Sequence, residues 1–160
     1  MSILVTLNPE GMKYKLDEVL DHDALLLSRT TYEGFAAAWP DLTDEVGSAD
    51  KMNSMPKYVV SHTLERADWS NSTVVSGELA EQVAAPKSEA GGDILVAGSA
   101  TLVSELLARG LVDELRLMVF PIVLGGGKRL FGDDPEARVL KLVDCRPLES
   151  GTVIVTYHRA

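Results

Sequence analysis

Hydrophobic and polar positions alternate along this chain in short blocks, and the clearest block lies between Gly91 and Gly110. Ile94-Leu95-Val96-Ala97 is an unbroken apolar run, which predicts a buried strand of a parallel sheet. Gly98 ends the run. From Ser99, Ala100 and Thr101 onward, Leu102, Val103, Leu106 and Leu107 recur at helical spacing, and Gly110 supplies a C-terminal stop. Strand, glycine and helix therefore follow one another within twenty residues.

The same reading extends in both directions. Ser2 to Leu7 is a short apolar run ending in the turn Asn8-Pro9-Glu10-Gly11. Met12 to Leu20 is expected to be helical, burying Leu16, Val19 and Leu20. Ala24 to Leu27 suits either a strand or a helix, and its shortness after the turn Asp21-His22-Asp23 favours a strand. A helix capped by Thr30 or Thr31 follows, with Tyr32, Phe35, Ala36 and Trp39 on its apolar side and Pro40 at its end. Asp41 to Ser54 reads as a loosely packed helix and loop. Lys57 to Ser61 and Thr73 to Ser76 read as strands, and Glu78 to Lys87 as a helix interrupted at Pro86. Glu114 to Phe120 alternates with a period of two. Arg138 to Cys145 and Thr152 to His158 form two final strands, antiparallel because their connection is short. The total is about eight strands and four helices, an open α/β sheet with an antiparallel tail.

A chain of 160 residues, 46% of them apolar, suits one domain spanning residues 1–160 with one substantial core. The net charge of −9 argues against a nucleic-acid partner and against an anionic membrane surface. No apolar run approaches the roughly 20 residues of a membrane helix, and no signal peptide is evident. The single cysteine, Cys145, excludes an intramolecular disulfide and offers no zinc spacing, so a cytoplasmic location is the expectation. His22 and His158 are too isolated to suggest a metal. Asp113 and Glu114 read as an exposed strand boundary.

Chemistry is concentrated at the helix starts. A strand that passes through Gly98 into a Ser/Thr-headed helix leaves N–H donors and the positive end of a helix dipole available to a phosphate or pyrophosphate. The alternative is that Ser99 or Thr101 caps a helix that binds nothing, and local sequence alone favours it.

Taken together, SRTTYEGFAAAWP, MPKYVVSHTL, GGDILVAGSATLV, LVDELRLMVFPIVLGGGKRLFG and VIVTYHR resemble the dihydrofolate-reductase-like family. More narrowly, they are similar to bacterial proteins matching the C-terminal reductase domain of riboflavin biosynthesis. The resemblance runs from about Glu10 to His158. It implies a mixed, mainly parallel eight-stranded sheet flanked by helices, with an antiparallel C-terminal hairpin. It also implies NADPH, with NADH as a second possibility, and hydride transfer to a small pterin- or pyrimidine-like heterocycle. By this resemblance Gly98, Ser99, Ala100 and Thr101 would hold the pyrophosphate. Arg29 would reach the adenosine 2′-phosphate, with Thr30 and Thr31 beside it and Ser61 and His62 nearby. A surface pairing of Arg29 with Glu33 is the alternative. Members are commonly homodimers, and the apolar run Val119 to Leu124 is the expected interface.

Three departures from the family pattern bear on function. Ser28 stands where glycine is usual and would crowd the cofactor. His62 replaces an arginine, which predicts a weaker preference for NADPH that recovers as pH falls. Asn8-Pro9 replaces Asp-Gly, and the loop that lines the substrate pocket is missing. Asn8 can hydrogen-bond a heterocycle or simply form a tight turn, and Trp39 is either a pocket wall or a core aromatic. The catalytic proton donor is not identifiable. The competing function is a non-catalytic dinucleotide-binding or dimeric assembly module that has lost the pocket loop.

Overall fold

The computed structural model describes residues 9–131 and 136–160. Its elements in chain order are α1 (Pro9–Asp21), β1 (Ala24–Ser28), α2 (Arg29–Ala38), α3 (Ser48–Ser54), β2 (Lys57–Val60), β3 (Ser72–Val75), α4 (Leu79–Ala90), β4 (Ile94–Leu95), α5 (Ala100–Ala108), β5 (Glu114–Val119), β6 (Leu140–Pro147) and β7 (Val153–Arg159). The strand expected over Ser2 to Leu7 lies outside the described residues.

The first four strands form a parallel sheet in the order β3-β2-β1-β4. Leu25 pairs in register with Lys57 on one side and with Leu95 on the other. Because the strands are covered on both faces, alternate residues of β1 feed two separate cores. Ala24 and Leu26 join Tyr58, Leu79, Val83, Leu102 and Leu106 on the face that carries α4 and α5. Leu25 and Leu27 join Tyr32, Met52, Met55, Val59 and Trp69 on the face that carries α2 and α3. Leu25, Leu26 and Leu27 are almost wholly buried, and each contributes about 1.5–3 kcal/mol through that burial.

The second sheet is antiparallel, in the order β5-β7-β6, with β6 and β7 forming the expected C-terminal hairpin. Seven of the eight expected strands are present among the described residues, arranged in a parallel and an antiparallel sheet rather than in one, and the eighth, Ser2 to Leu7, falls outside them. A groove of about 870 Å³ runs between β4 and β5, lined by Ile94 to Ala97 on one side and Glu114 to Leu117 on the other. Ile94 and Leu95 are half-buried.

Three local expectations change for identifiable reasons. Within the segment before β2 the loop from Asp41 to Val46 is exposed, but α3 is not loosely packed, since Ala49 and Met52 are each 1% exposed. The Asp44 carboxylate organises that helix start, accepting from the backbone N–H groups of Ser48 (2.9 Å) and Ala49 (2.7 Å) and from the Ser48 hydroxyl. These bonds hold its pKa below the usual value, that of the Ser48 hydroxyl being the strongest. Helix α4 continues through Pro86, whose fully buried ring offsets the missing N–H by packing. In α1, Leu20 is exposed while Gly11 and Glu18 are buried, because Lys15 (2.7 Å) and Arg116 (3.7 Å) pair with the Glu18 carboxylate.

Candidate functional site

Chain order decides where a crevice opens. From β1 the chain passes through α2 and α3 to β2 on one side, and from β3 it passes through α4 to β4 on the opposite side of β1. β1 and β4 are thus adjacent parallel strands whose following helices, α2 and α5, lie on opposite faces. This is a topological switch point, the place in an open parallel sheet where the helix starts separate and leave room for a ligand.

Each helix start is built by a serine. Ser28 is in extended conformation at the head of α2, and its Oγ accepts from the Thr31 N–H at 3.4 Å and lies 3.1 Å from the Thr31 hydroxyl. Ser28, not Thr30 or Thr31, is therefore the cap. Its side chain is turned back into its own helix. Ser99 does the same for α5, accepting from the Leu102 N–H at 3.4 Å. Inside the first turn, the N–H groups of Ala100 and Thr101 have no intrahelical acceptor by helix geometry.

Gly98 joins β4 to that cap with φ +126°, and the Gly98–Ser99 peptide is cis. A Cβ placed on Gly98 would lie 3.7 Å from the Thr31 hydroxyl, so the turn after β4 faces the first turn of α2. Gly98, Ser99 and Ala100 are half-buried and Thr101 is exposed.

Arg29, the first residue of α2, is held at two points. Its Nε pairs with Glu33 Oε1 at 3.0 Å, and its Nη1 donates to Thr63 Oγ1 at 2.7 Å. The first contact is the pairing weighed from the sequence. The second joins α2 to the turn after β2. In that turn Ser61 is buried, and its Oγ accepts from the N–H groups of Thr63 (3.2 Å) and Leu64 (2.9 Å). Ser61 thus shapes the turn and retains a hydroxyl proton to donate. His62 and Thr30 are exposed. The structure gathers Arg29, Thr31, Gly98, Ser99 and Ala100 around the ends of β1 and β4, with Ser61 and His62 at the end of neighbouring β2.

Thr63 escaped the sequence reading. Its one signal was its place two residues beyond Ser61, and its link to Arg29 spans 34 positions. Trp39 sits elsewhere, about 15 Å along α2 from Arg29. It packs edge-on against Phe35 with ring centroids 6.4 Å apart, and its carbonyl accepts from the Asn53 amide. It is half-buried and packs against the core of the α2–α3 face. Asn8 lies outside the described residues.

At the amino ends of the strands the groove carries a different cluster. Glu114 pairs with His158 at 2.8 Å and with Arg116. Partial burial pushes the Glu114 carboxyl up, but these hydrogen bonds outweigh it and hold the pKa below the usual value. Asp113 pairs with Lys87 at 2.8 Å. The boundary carboxylates are engaged in ion pairs. Among the described residues no group of three or more His, Cys, Asp or Glu side chains could hold a metal, and no helix is long and apolar enough to cross a membrane.

Residues 7–154 match the family model described as the RibD C-terminal domain. An uncharacterised Bacillus subtilis protein, YyaP, is 38% identical over 107 residues, which cover 67% of this chain and 56% of that protein. The chain thus spans little more than half of that relative's length. Among solved structures, a Shewanella sp. PV-4 protein provisionally named for riboflavin biosynthesis aligns with TM-score 0.77 and 23% identity, over 96% of this chain and 84% of that one. Dihydrofolate reductase from Enterococcus faecalis, solved with NADP(H), aligns with TM-score 0.66 and 18% identity, over 96% and 83%. The fold is dihydrofolate-reductase-like.

Proposed function

Because the chain belongs to the RibD C-terminal domain family, we propose that it is a reductase that uses NADPH, with NADH as a second donor, to reduce a small pterin- or pyrimidine-like heterocycle. The observation that carries this reading is the meeting of two serine-capped helix starts at the ends of β1 and β4, with Arg29 stretched across to Thr63. The residues present fit a dinucleotide. Gly98 presents no side chain to an approaching diphosphate, and the first turn of α5 offers the N–H groups of Ala100 and Thr101 beside the Ser99 and Thr101 hydroxyls. Arg29 offers a planar fork to the adenosine 2′-phosphate, supported by Thr30, Thr31, Ser61 and His62.

A bound nicotinamide supplies the hydride, so the protein's work is orientation and charge placement. Thr63 and Glu33 hold the Arg29 guanidinium, and Ser61 shapes the turn that carries Thr63. The helix dipole of α5 favours the diphosphate within its first turn. Asn8 remains the proposed contact to the heterocycle.

The reading also includes a second copy of the chain over the segment after β5. Val119, Ile122, Val123 and Leu124 are 54%, 44%, 96% and 55% exposed, an apolar run that association would cover. Sedimentation of the wild type against Val123→Glu tests this directly: a dimer that dissociates in the variant is the expected result.

Calorimetric titration with NADP+ tests the central claim. Binding is expected in the wild type and to weaken about 10- to 100-fold in Arg29→Ala, as loss of a charge-assisted contact requires. NADPH oxidation in the presence of a pterin and pyrimidine panel then supports the reductase. Binding without turnover on any member of the panel supports the non-catalytic module instead.

A further inference from the structure

We infer that Glu33 makes this site a poor discriminator between 2′-phosphorylated and unphosphorylated dinucleotides, an inference that rests on the role given to Arg29 above. The guanidinium has five N–H donors in a fixed plane. Its Nε lies 3.0 Å from Glu33 Oε1 in an ion pair, and one Nη1 proton is donated to Thr63 Oγ1 at 2.7 Å. The other donors are enough to grip a phosphate in two places. The phosphate would then share its cation with a carboxylate already in place. Glu33 stands one turn along α2 from Arg29, and the contact to the Thr63 hydroxyl is made with the fork beside that carboxylate. A dianionic 2′-phosphate therefore meets repulsion that a neutral 2′-hydroxyl does not. His62 follows Ser61 at the end of neighbouring β2 and is exposed.

Arg29 and Glu33 are each about half exposed (48% and 49%), so the repulsion acts through solvent and its size is modest. Affinities of the full chain for NADP+ and NAD+ at low ionic strength, with and without Glu33→Gln, test the inference. Glutamine keeps an acceptor for the Arg29 Nε and removes the charge. The expected result is NADP+ binding tightened about three- to tenfold, with NAD+ changed less than about twofold, and most of the difference erased at about 0.5 M salt. Glu33→Ala should move the ratio in the same direction. Equal shifts for both dinucleotides, or none, in a wild type that binds NADP+ would overturn the role of Glu33 and leave that of Arg29 standing. If the wild type binds neither dinucleotide, the role given to Arg29 falls and that of Glu33 falls with it.

Discussion

The hydroxyl of Thr31 stands 3.7 Å from the point where a Cβ on Gly98 would be, which places the start of α2 directly opposite the turn that begins α5. Neither residue is close to the other in the chain. Their approach turns two ordinary helix caps into one crevice.

Gly98→Ala is expected to cost about 1–2 kcal/mol of stability, because φ +126° is a conformation that L side chains rarely adopt. The same change should weaken NADP+ binding about tenfold or more, since relaxing that backbone moves the α5 donors. Urea denaturation and calorimetric titration of the one variant read both effects. A variant as stable as the wild type would contradict the strain argument.

His62→Arg is expected to raise NADP+ affinity about three- to tenfold while leaving NAD+ affinity nearly unchanged, by supplying a permanent charge beside the proposed 2′-phosphate position. An NADP+ affinity unchanged in His62→Arg would remove His62 from the site.

Lys57 gives a stability signature of its own. It is fully buried at the start of β2, and burial pushes its pKa from 10.5 down to about 8. The carbonyls of Asn53 (3.2 Å), Met55 (2.8 Å) and Ser70 (2.9 Å) accept from its Nζ, which also lies 4.3 Å from the centre of the Trp69 ring. These contacts offset part of the desolvation of the charged form. Between pH 8 and 10.5 the unfolded chain binds a proton that the folded chain has released, so this residue makes stability rise with pH across that window. Urea denaturation at several pH values should show the rise, up to about 3 kcal/mol, in the wild type and not in Lys57→Met.

Tyr32→Phe is expected to destabilise the fold by about 1–2 kcal/mol without changing dinucleotide affinity. The Tyr32 hydroxyl accepts from the buried Trp69 N–H at 3.0 Å, and phenylalanine would leave that donor unpaired. Thermal unfolding measures the loss. A parallel loss of NADP+ binding would mean that this cluster supports the crevice, a coupling not expected here.

The hydrophobic pattern determined that β2 and β4 are strands, and with the turn before it that β1 is one. It placed helix starts near Thr30 and near Ser99, because side-chain periodicity and capping are local properties of the chain. That Ser28 is the cap of α2 came only from the structure. The recurring motifs carried the family. What local pattern could not contain is which distant residues meet. Arg29 reaches Thr63, and Gly98 faces Thr31, because β1 lies between β2 and β4 in the sheet. Lys57, polar by type, became a buried residue because three backbone carbonyls converge on its ammonium group. Pro86 stayed inside a helix because packing outweighed one missing hydrogen bond. Periodicity specifies elements one at a time, and strand order with side-chain packing decides their partners.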